Sequence, residues 1–134
     1  MHAAHPLAAS LQVALGGALG AVLRYQTGNA FARWIGSSSA PALPWATLTI
    51  NVAGSCAMGL LAGWLARHDQ GESWRLLLGV GLLGGFTTFS AFSLELLALI
   101  ERGAPGLALA YALVSVSAGL AGLWLGFAAM RTVA

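Results

Sequence analysis

The sequence predicts an all-α membrane protein with four transmembrane helices in a single domain, residues 1–134. Hydrophobic residues make up 58% of the chain and charged residues only 7%, whereas about 25% of the residues in a soluble domain are charged. A chain of 134 residues has room for four spans of roughly 20 residues and little else. We therefore expect a multi-pass protein of the cell (inner) membrane that is surrounded by lipid.

Hydropathy and the flanking aromatic or charged residues place the four spans in order. Short polar or Gly/Pro-rich turns separate them at 36–44, 67–73 and 101–103, and turns this short predict that spans adjacent in sequence are antiparallel neighbours. The predicted spans are about Leu7 to Trp34, Trp45 to Leu65, Trp74 to Ile100, and Pro105 to Met130.

Composition also excludes several classes of function. The net charge of +2 comes from singly scattered arginines, so the chain has no basic patch for nucleic acid. The three histidines, His2, His5 and His68, lie at the N-terminus or in a turn. No buried Ser-His pair or metal-binding histidine pair can be built from them, and the sequence predicts that the protein is not an enzyme. Cys56 lies in an apolar run and is expected to pack as a small hydrophobe.

The arginines are nearly balanced across the membrane. If the spans alternate, Arg33 and Arg102 lie on one side, and Arg67, Arg75 and Arg131 on the other, whereas the positive-inside rule requires asymmetry. Two explanations have equal weight: short loops that carry few charges, or dual topology, in which copies insert both ways and pair head to tail.

Stripes of small residues favour close helix packing and an oligomer. Small residues at four-residue spacing allow backbones to approach in a bilayer, and a chain this small has few helices with which to enclose a pathway alone. The stripes are Ser55, Gly59 and Gly63 on the second span, and Gly119, Gly122 and Gly126 on the fourth.

The third span carries a glycine- and hydroxyl-rich decapeptide, residues 84–93, in an otherwise apolar segment. Non-helical backbone inside a bilayer survives only where protein buries it or where it lines a wet cavity. Broken membrane helices are also where ions and substrates bind. The pattern predicts a third helix that is broken at its centre, next to a binding site.

Few polar side chains lie inside the spans, and each has two interpretations. Asn51 either coordinates an anion or caps the broken helix, with even weight. Tyr111 and Ser115 share a helical face on the fourth span, where interhelical bonding is favoured over a pathway about two to one. Glu95 is a functional residue by default or pairs with Arg24 or Arg102.

Two phenylalanines of the third span, Phe89 and Phe92, are three residues apart and share a face beside Thr88 and Ser93. Phenylalanines at this spacing are far more often core residues. Their functional use would be electrostatic, because the positive edges of two rings favour a bare anion in a narrow, dry passage.

Three further motifs, taken together with the decapeptide, resemble the Fluc/CrcB-type fluoride channels. They are Gly-Ala-x-x-Arg-Tyr at 20–25, Pro-Trp-Ala-Thr-Leu-Thr-Ile-Asn at 44–51, and Tyr111 with Ser115. The resemblance covers nearly the whole chain. Two positions depart from the pattern: Ala46 stands where glycine is usual, and Gly119 stands where some members carry a further serine.

The resemblance implies an antiparallel, dual-topology homodimer with two pores and a structural Na+ at the dimer axis. The Na+ would be held by the backbone carbonyls of Gly84 and Thr87, and glycine and a carbonyl cage both suit this role. Arg24 would attract the anion into a vestibule. The implied fluoride pore consists of Asn51, Thr88, Phe89, Phe92, Ser93, Tyr111 and Ser115.

The expected function is passive, fluoride-selective export that relieves fluoride toxicity. The anion's identity comes from the resemblance alone, because spacing and composition do not separate fluoride from chloride. Two alternatives remain: a small proton-coupled multidrug exporter, which would need a titratable carboxylate at its substrate site, and a non-transporting membrane assembly subunit.

Overall fold

Four long helical spans form the structure, a computed structural model that describes residues 6–35, 43–68 and 71–132. They extend over Pro6–Ile35, Trp45–Leu65, Glu72–Glu101 and Pro105–Thr132, and each is long and apolar enough to cross a membrane. The predicted all-α membrane architecture is confirmed, and every predicted span boundary lies within two residues of the observed one. Most of the first predicted turn, residues 69–70 of the second, and both His2 and His5 lie outside the described residues.

The third span consists of several helical segments. An α-helical turn at Glu72–Trp74 leads into a π-helical stretch at Arg75–Leu83, where the helix is wider than an α-helix. A short α-helical segment follows at Gly84–Phe86, and the final α-helix occupies Ser90–Glu101. Between these two, residues 87–89 are not helical, and Thr87 is extended with φ −79° and ψ 160°.

One tight helix packing joins the first span to the third. Gly20 lies so close to the third span that an added Cβ would run into the carbonyl oxygen of Leu82 and lie 2.8 Å from the amide nitrogen of Phe86. One turn earlier, a Cβ on Gly16 would lie 2.8 Å from the amide nitrogen of Leu82. Only glycine permits this backbone approach. The two spans therefore pack in parallel, with their contacts advancing together.

The second and fourth spans form the other tight pair, again through glycine. A Cβ on Gly59 would collide with the carbonyl of Leu123, and a Cβ on Gly126 with the carbonyl of Cys56. Sequence-adjacent spans also contact each other, as the short turns predicted, but the glycine faces make the most extensive contacts between alternate spans. Since these small-residue stripes contact each other within one chain, they are not an argument for an oligomer.

A small apolar cluster joins the end of the third span to the start of the fourth. Phe92, Leu99, Ala108 and Tyr111 are buried there, and Tyr111 is only 1% exposed. Many long hydrophobic side chains of all four spans are exposed, as expected for helices whose solvent is lipid. Leu48 of the second span packs against the cluster, and residues 87–89 immediately precede the helix that carries Phe92.

Candidate functional site

An open groove of about 460 Å³ lies where the second and fourth spans face the non-helical residues 87–89. Seven of the ten predicted site residues border it, so residues distant in sequence are brought together. They are Asn51, Gly84, Thr87, Thr88, Phe89, Phe92 and Ser115.

The Asn51 side chain binds the backbone of the interrupted helix. Its Oδ1 accepts a hydrogen bond from the N–H of Thr88 at 2.8 Å, and its Nδ2 donates to the carbonyl oxygen of Thr88 at 3.0 Å. A side-chain amide carries the same donor and acceptor pair as a peptide group, so one residue satisfies both backbone groups of Thr88. Of the two interpretations of Asn51, this geometry matches the cap, and one Nδ2 hydrogen is left for another acceptor.

The carbonyl oxygens of Gly84 and Thr87 lack the N–H donors that a regular α-helix would supply. In an α-helix the carbonyl of Gly84 accepts from the N–H of residue 88, and that of Thr87 from the N–H of residue 91. Here the Thr88 N–H binds Asn51, and the Ala91 N–H donates to the Thr88 hydroxyl at 3.2 Å. The carbonyl oxygens of Gly84 and Thr87 are thus left without their regular helical partners, beside a groove.

The two phenylalanines lie together but differ in environment. The ring centroids of Phe89 and Phe92 are 5.9 Å apart with planes at 45°, and Phe92 also lies 5.2 Å from the ring of Tyr111. Phe92 is 9% exposed and belongs to the apolar cluster, whereas Phe89 is 80% exposed. Phe92 is thus a core residue with one side on the groove, and Phe89 projects from the subunit.

The Glu95 carboxylate has two hydroxyl partners. It accepts from Thr47 Oγ1 at 2.6 Å and from the Tyr111 hydroxyl at 2.8 Å. Pairing with Arg24 or Arg102 was one of two interpretations of Glu95, and neither arginine is its partner, because within the described ranges the only ion pair joins Arg75 to Glu72. The Tyr111 hydroxyl therefore makes a hydrogen bond between the fourth and third spans, which is the interpretation that its position favoured.

Ser115 differs from Tyr111 although both lie on one face of the fourth span. Its Oγ is buried and makes no hydrogen bond of regular geometry among the described residues, although the Tyr111 hydroxyl lies near it, and the side chain borders the groove. A buried hydroxyl without a partner is costly, so this atom is suited to a ligand that accepts a hydrogen bond.

The three remaining predicted residues do not border the groove. The Ser93 hydroxyl donates to the carbonyl of Phe89 at 2.9 Å, on the same helix. Arg24 is half-buried on the first span, one helical turn beyond Gly20. Tyr111 also lies outside the groove lining and reaches it only through Phe92.

Sequence reasoning did not assign several of the residues at this site. Ser55 and Met58 line the groove, and Ser55 Oγ lies 3.5 Å from the position of an added Cβ on Gly119. Thr47 is buried and bound to Glu95. Four-residue spacing could have signalled two of them, because Thr47, Asn51 and Ser55 lie on one face of the second span.

Comparison with known proteins identifies the family of the chain. The family model described as CrcB-like protein, Camphor Resistance (CrcB), matches residues 11–127. A protein of Novosphingobium aromaticivorans named fluoride-specific ion channel FluC is 56% identical over 128 residues, which cover 96% of this chain and 100% of that protein. Proteins with the same name from Erythrobacter litoralis and Rhodospirillum centenum are each 52% identical and cover 96% and 91% of this chain, and 96% and 94% of their own lengths. The chain belongs to the CrcB family.

Proposed function

We propose that this protein is a fluoride-selective channel of the cell (inner) membrane that exports fluoride passively and relieves its toxicity. The observation that carries the proposal is the similarity, over nearly the whole chain, to proteins named fluoride-specific ion channel. The groove beside the interrupted third span supports it, because it combines a partnerless hydroxyl with aromatic rings.

The anion would pass between the second, third and fourth spans. There the Ser115 hydroxyl and the free hydrogen of the Asn51 amide would donate to it, and the ring edges of Phe89 and Phe92 would face it. Thr88 and Ser93 would add hydroxyls, although both donate or accept locally. Tyr111 would hold Phe92 in position, and Arg24 would raise the local anion concentration at the entrance. Movement would follow the fluoride gradient.

The working unit in this proposal is an antiparallel, dual-topology homodimer. Two observations support it: the groove is open on one side, and Phe89 is 80% exposed at its edge. An exposed aromatic ring beside polar groups is typical of a surface that a second protein covers. A second copy in the opposite orientation would close the groove and, by symmetry, form a second pathway.

A structural Na+ would lie where the two interruptions meet, held by the carbonyl oxygens of Gly84 and Thr87. The fit is chemically sound, because both oxygens lack their regular helical donors and hard cations prefer oxygen ligands. Gly84 is exposed and has no side chain to block an approaching partner. When bound, the ion would neutralise the facing carbonyl dipoles.

Fluoride efflux from proteoliposomes tests the proposal. We expect purified protein to release fluoride rapidly and to retain chloride under the same gradient. Phe89→Ile should reduce fluoride efflux at least about tenfold, and the matched variant Phe31→Ile, at the end of the first span, should not. Fluoride release equal to that of empty vesicles would contradict the channel and favour an assembly subunit.

The proton-coupled exporter is separated by a second measurement. It requires a titratable carboxylate at the substrate site, and Glu95 is the candidate. Both oxygens of that carboxylate are already hydrogen-bonded to hydroxyls. We therefore expect no uptake of an organic cation under a pH gradient, and uptake that Glu95→Gln abolishes would replace the channel by the exporter.

A further inference from the structure

We propose that the end of the subunit where the second span finishes binds one anionic phospholipid. An acyl chain would lie in an apolar groove between the second, third and fourth spans, and the phosphate would lie at Arg67 and Arg131. This site is at the opposite end of the second span from Asn51, and it is independent of the fluoride pathway.

The proposed acyl site is a second groove, of about 370 Å³, and its lining is almost entirely apolar. Two tryptophans frame it, with ring centroids 6.4 Å apart and planes nearly perpendicular. Tryptophan is typical of the level of the lipid headgroups, which places the mouth of the groove at the membrane surface. The lining residues are Leu60, Leu61, Trp64, Trp74, Leu78 and Met130.

Two arginines flank the mouth of this groove because of how the helices end. An added Cβ on Gly63 would lie 2.7 Å from the Cβ of Met130, so the last turns of the second and fourth spans are in contact. Arg67 follows Gly63 by four residues, and Arg131 follows Met130 directly. Both are exposed, and both extend the pair of helices that forms one wall of the groove.

Among the described residues, no carboxylate pairs with either of these two guanidinium groups. Glu72 binds the third arginine of this end, Arg75, through two hydrogen bonds of 2.8 and 3.1 Å. Within the described parts of the chain, Arg67 and Arg131 take part in no ion pair; Asp69 lies outside those parts. The Arg131 guanidinium lies 5.4 Å above the ring of Phe127. This cation–π contact orients the guanidinium group and leaves its N–H donors available.

Charge decides which occupant fits. Arginine binds phosphate oxygens in a bidentate manner, and basic pockets beside membrane helices recognise anionic headgroups. A second copy of the chain is a poorer partner, because its opposite end carries Arg33 and Arg102 and would bring arginines toward arginines. A zwitterionic lipid would fill the groove equally well but would place a cation near the same arginines.

Tryptophan quenching by brominated lipids measures this binding without any fluoride transport. The full-length protein is reconstituted in phosphatidylcholine vesicles that contain increasing fractions of brominated phosphatidylglycerol, or of brominated phosphatidylcholine as the reference. Because one arginine near an anionic surface contributes about fivefold to affinity, we expect at least about a fivefold preference for phosphatidylglycerol. Equal quenching by both lipids would overturn the proposal.

Two matched pairs of substitutions locate the site. Arg67→Gln with Arg131→Gln should reduce the preference to about onefold, whereas Arg33→Gln with Arg102→Gln, at the opposite end, should leave it unchanged. Trp64→Phe with Trp74→Phe should remove the part of the tryptophan fluorescence that brominated phosphatidylglycerol quenches preferentially. A preference for phosphatidylglycerol that survives the Arg67 and Arg131 substitutions would contradict the site, and so would a preference that the Arg33 and Arg102 substitutions abolish. Fluoride efflux tests the channel function separately.

Discussion

Replacing Asn51 by alanine removes both hydrogen bonds that this side chain makes to Thr88, at 2.8 and 3.0 Å. Each backbone group left unsatisfied costs about 1–3 kcal/mol, which gives about 2–6 kcal/mol for the pair. Because the site borders an open groove that water can enter, we expect the lower end, about 2 kcal/mol. The non-helical residues 87–89 would then lose the side-chain contact that holds them to the second span.

Two measurements on purified Asn51→Ala test this reasoning. Thermal unfolding in detergent should show a lower midpoint, and fluoride efflux from proteoliposomes should fall at least about tenfold, since about 1.4 kcal/mol corresponds to a tenfold change in population. Asn29→Ala, which removes an amide from the first span, serves as the control and should behave like the unsubstituted protein. An unchanged midpoint together with unchanged efflux would refute the role of Asn51 as the cap.

Three other substitutions test separate contacts. Gly126→Ala should destabilise the subunit by more than about 2 kcal/mol through backbone overlap with the second span, whereas Gly28→Ala, where a Cβ would have nothing within 4 Å, should be neutral or stabilising in the same unfolding assay. Ser115→Ala should lower fluoride efflux. It should leave the unfolding midpoint unchanged or higher, because the lost hydroxyl makes no regular hydrogen bond within the protein. Ser117→Ala is the control, and equal fluoride efflux from the two variants would contradict a ligand role for Ser115. Glu95→Gln should lower the free energy of unfolding by about 1–3 kcal/mol, because the amide nitrogen cannot accept one of the two hydroxyl hydrogen bonds. An unchanged unfolding midpoint would show that these bonds contribute nothing net.

Span positions were predictable because hydropathy is a local property. The helices that begin at Trp45 and Pro105 start at the predicted residue, since tryptophan, proline and polar turns mark the ends of apolar runs regardless of tertiary contacts. The glycine- and hydroxyl-rich segment was also visible locally. These features of composition and spacing sufficed to indicate a membrane protein and the region of its candidate site.

Partners of the polar side chains were not predictable in this way. Asn51 binds Thr88 across 37 positions of sequence, and Glu95 binds Thr47 across 48. For Glu95 the sequence offered a functional role or an arginine partner, because opposite charges attract, and no sequence rule places a hydroxyl there. The small-residue stripes likewise matched either an intersubunit or an intrasubunit contact, and the spacing is the same for both.

By itself, the sequence determined that four apolar helices cross a membrane and that the third carries a polar, glycine-rich segment at mid-depth, since each depends on residues that are close in the chain. Only the tertiary structure decided that the first span packs on the third and the second on the fourth, that Asn51 satisfies the backbone of Thr88, and that Ser115 is left without a partner. The physical reason is that a hydrogen bond between spans forms only where two helical faces meet. In this protein, close glycine contacts between non-adjacent spans determine which faces meet.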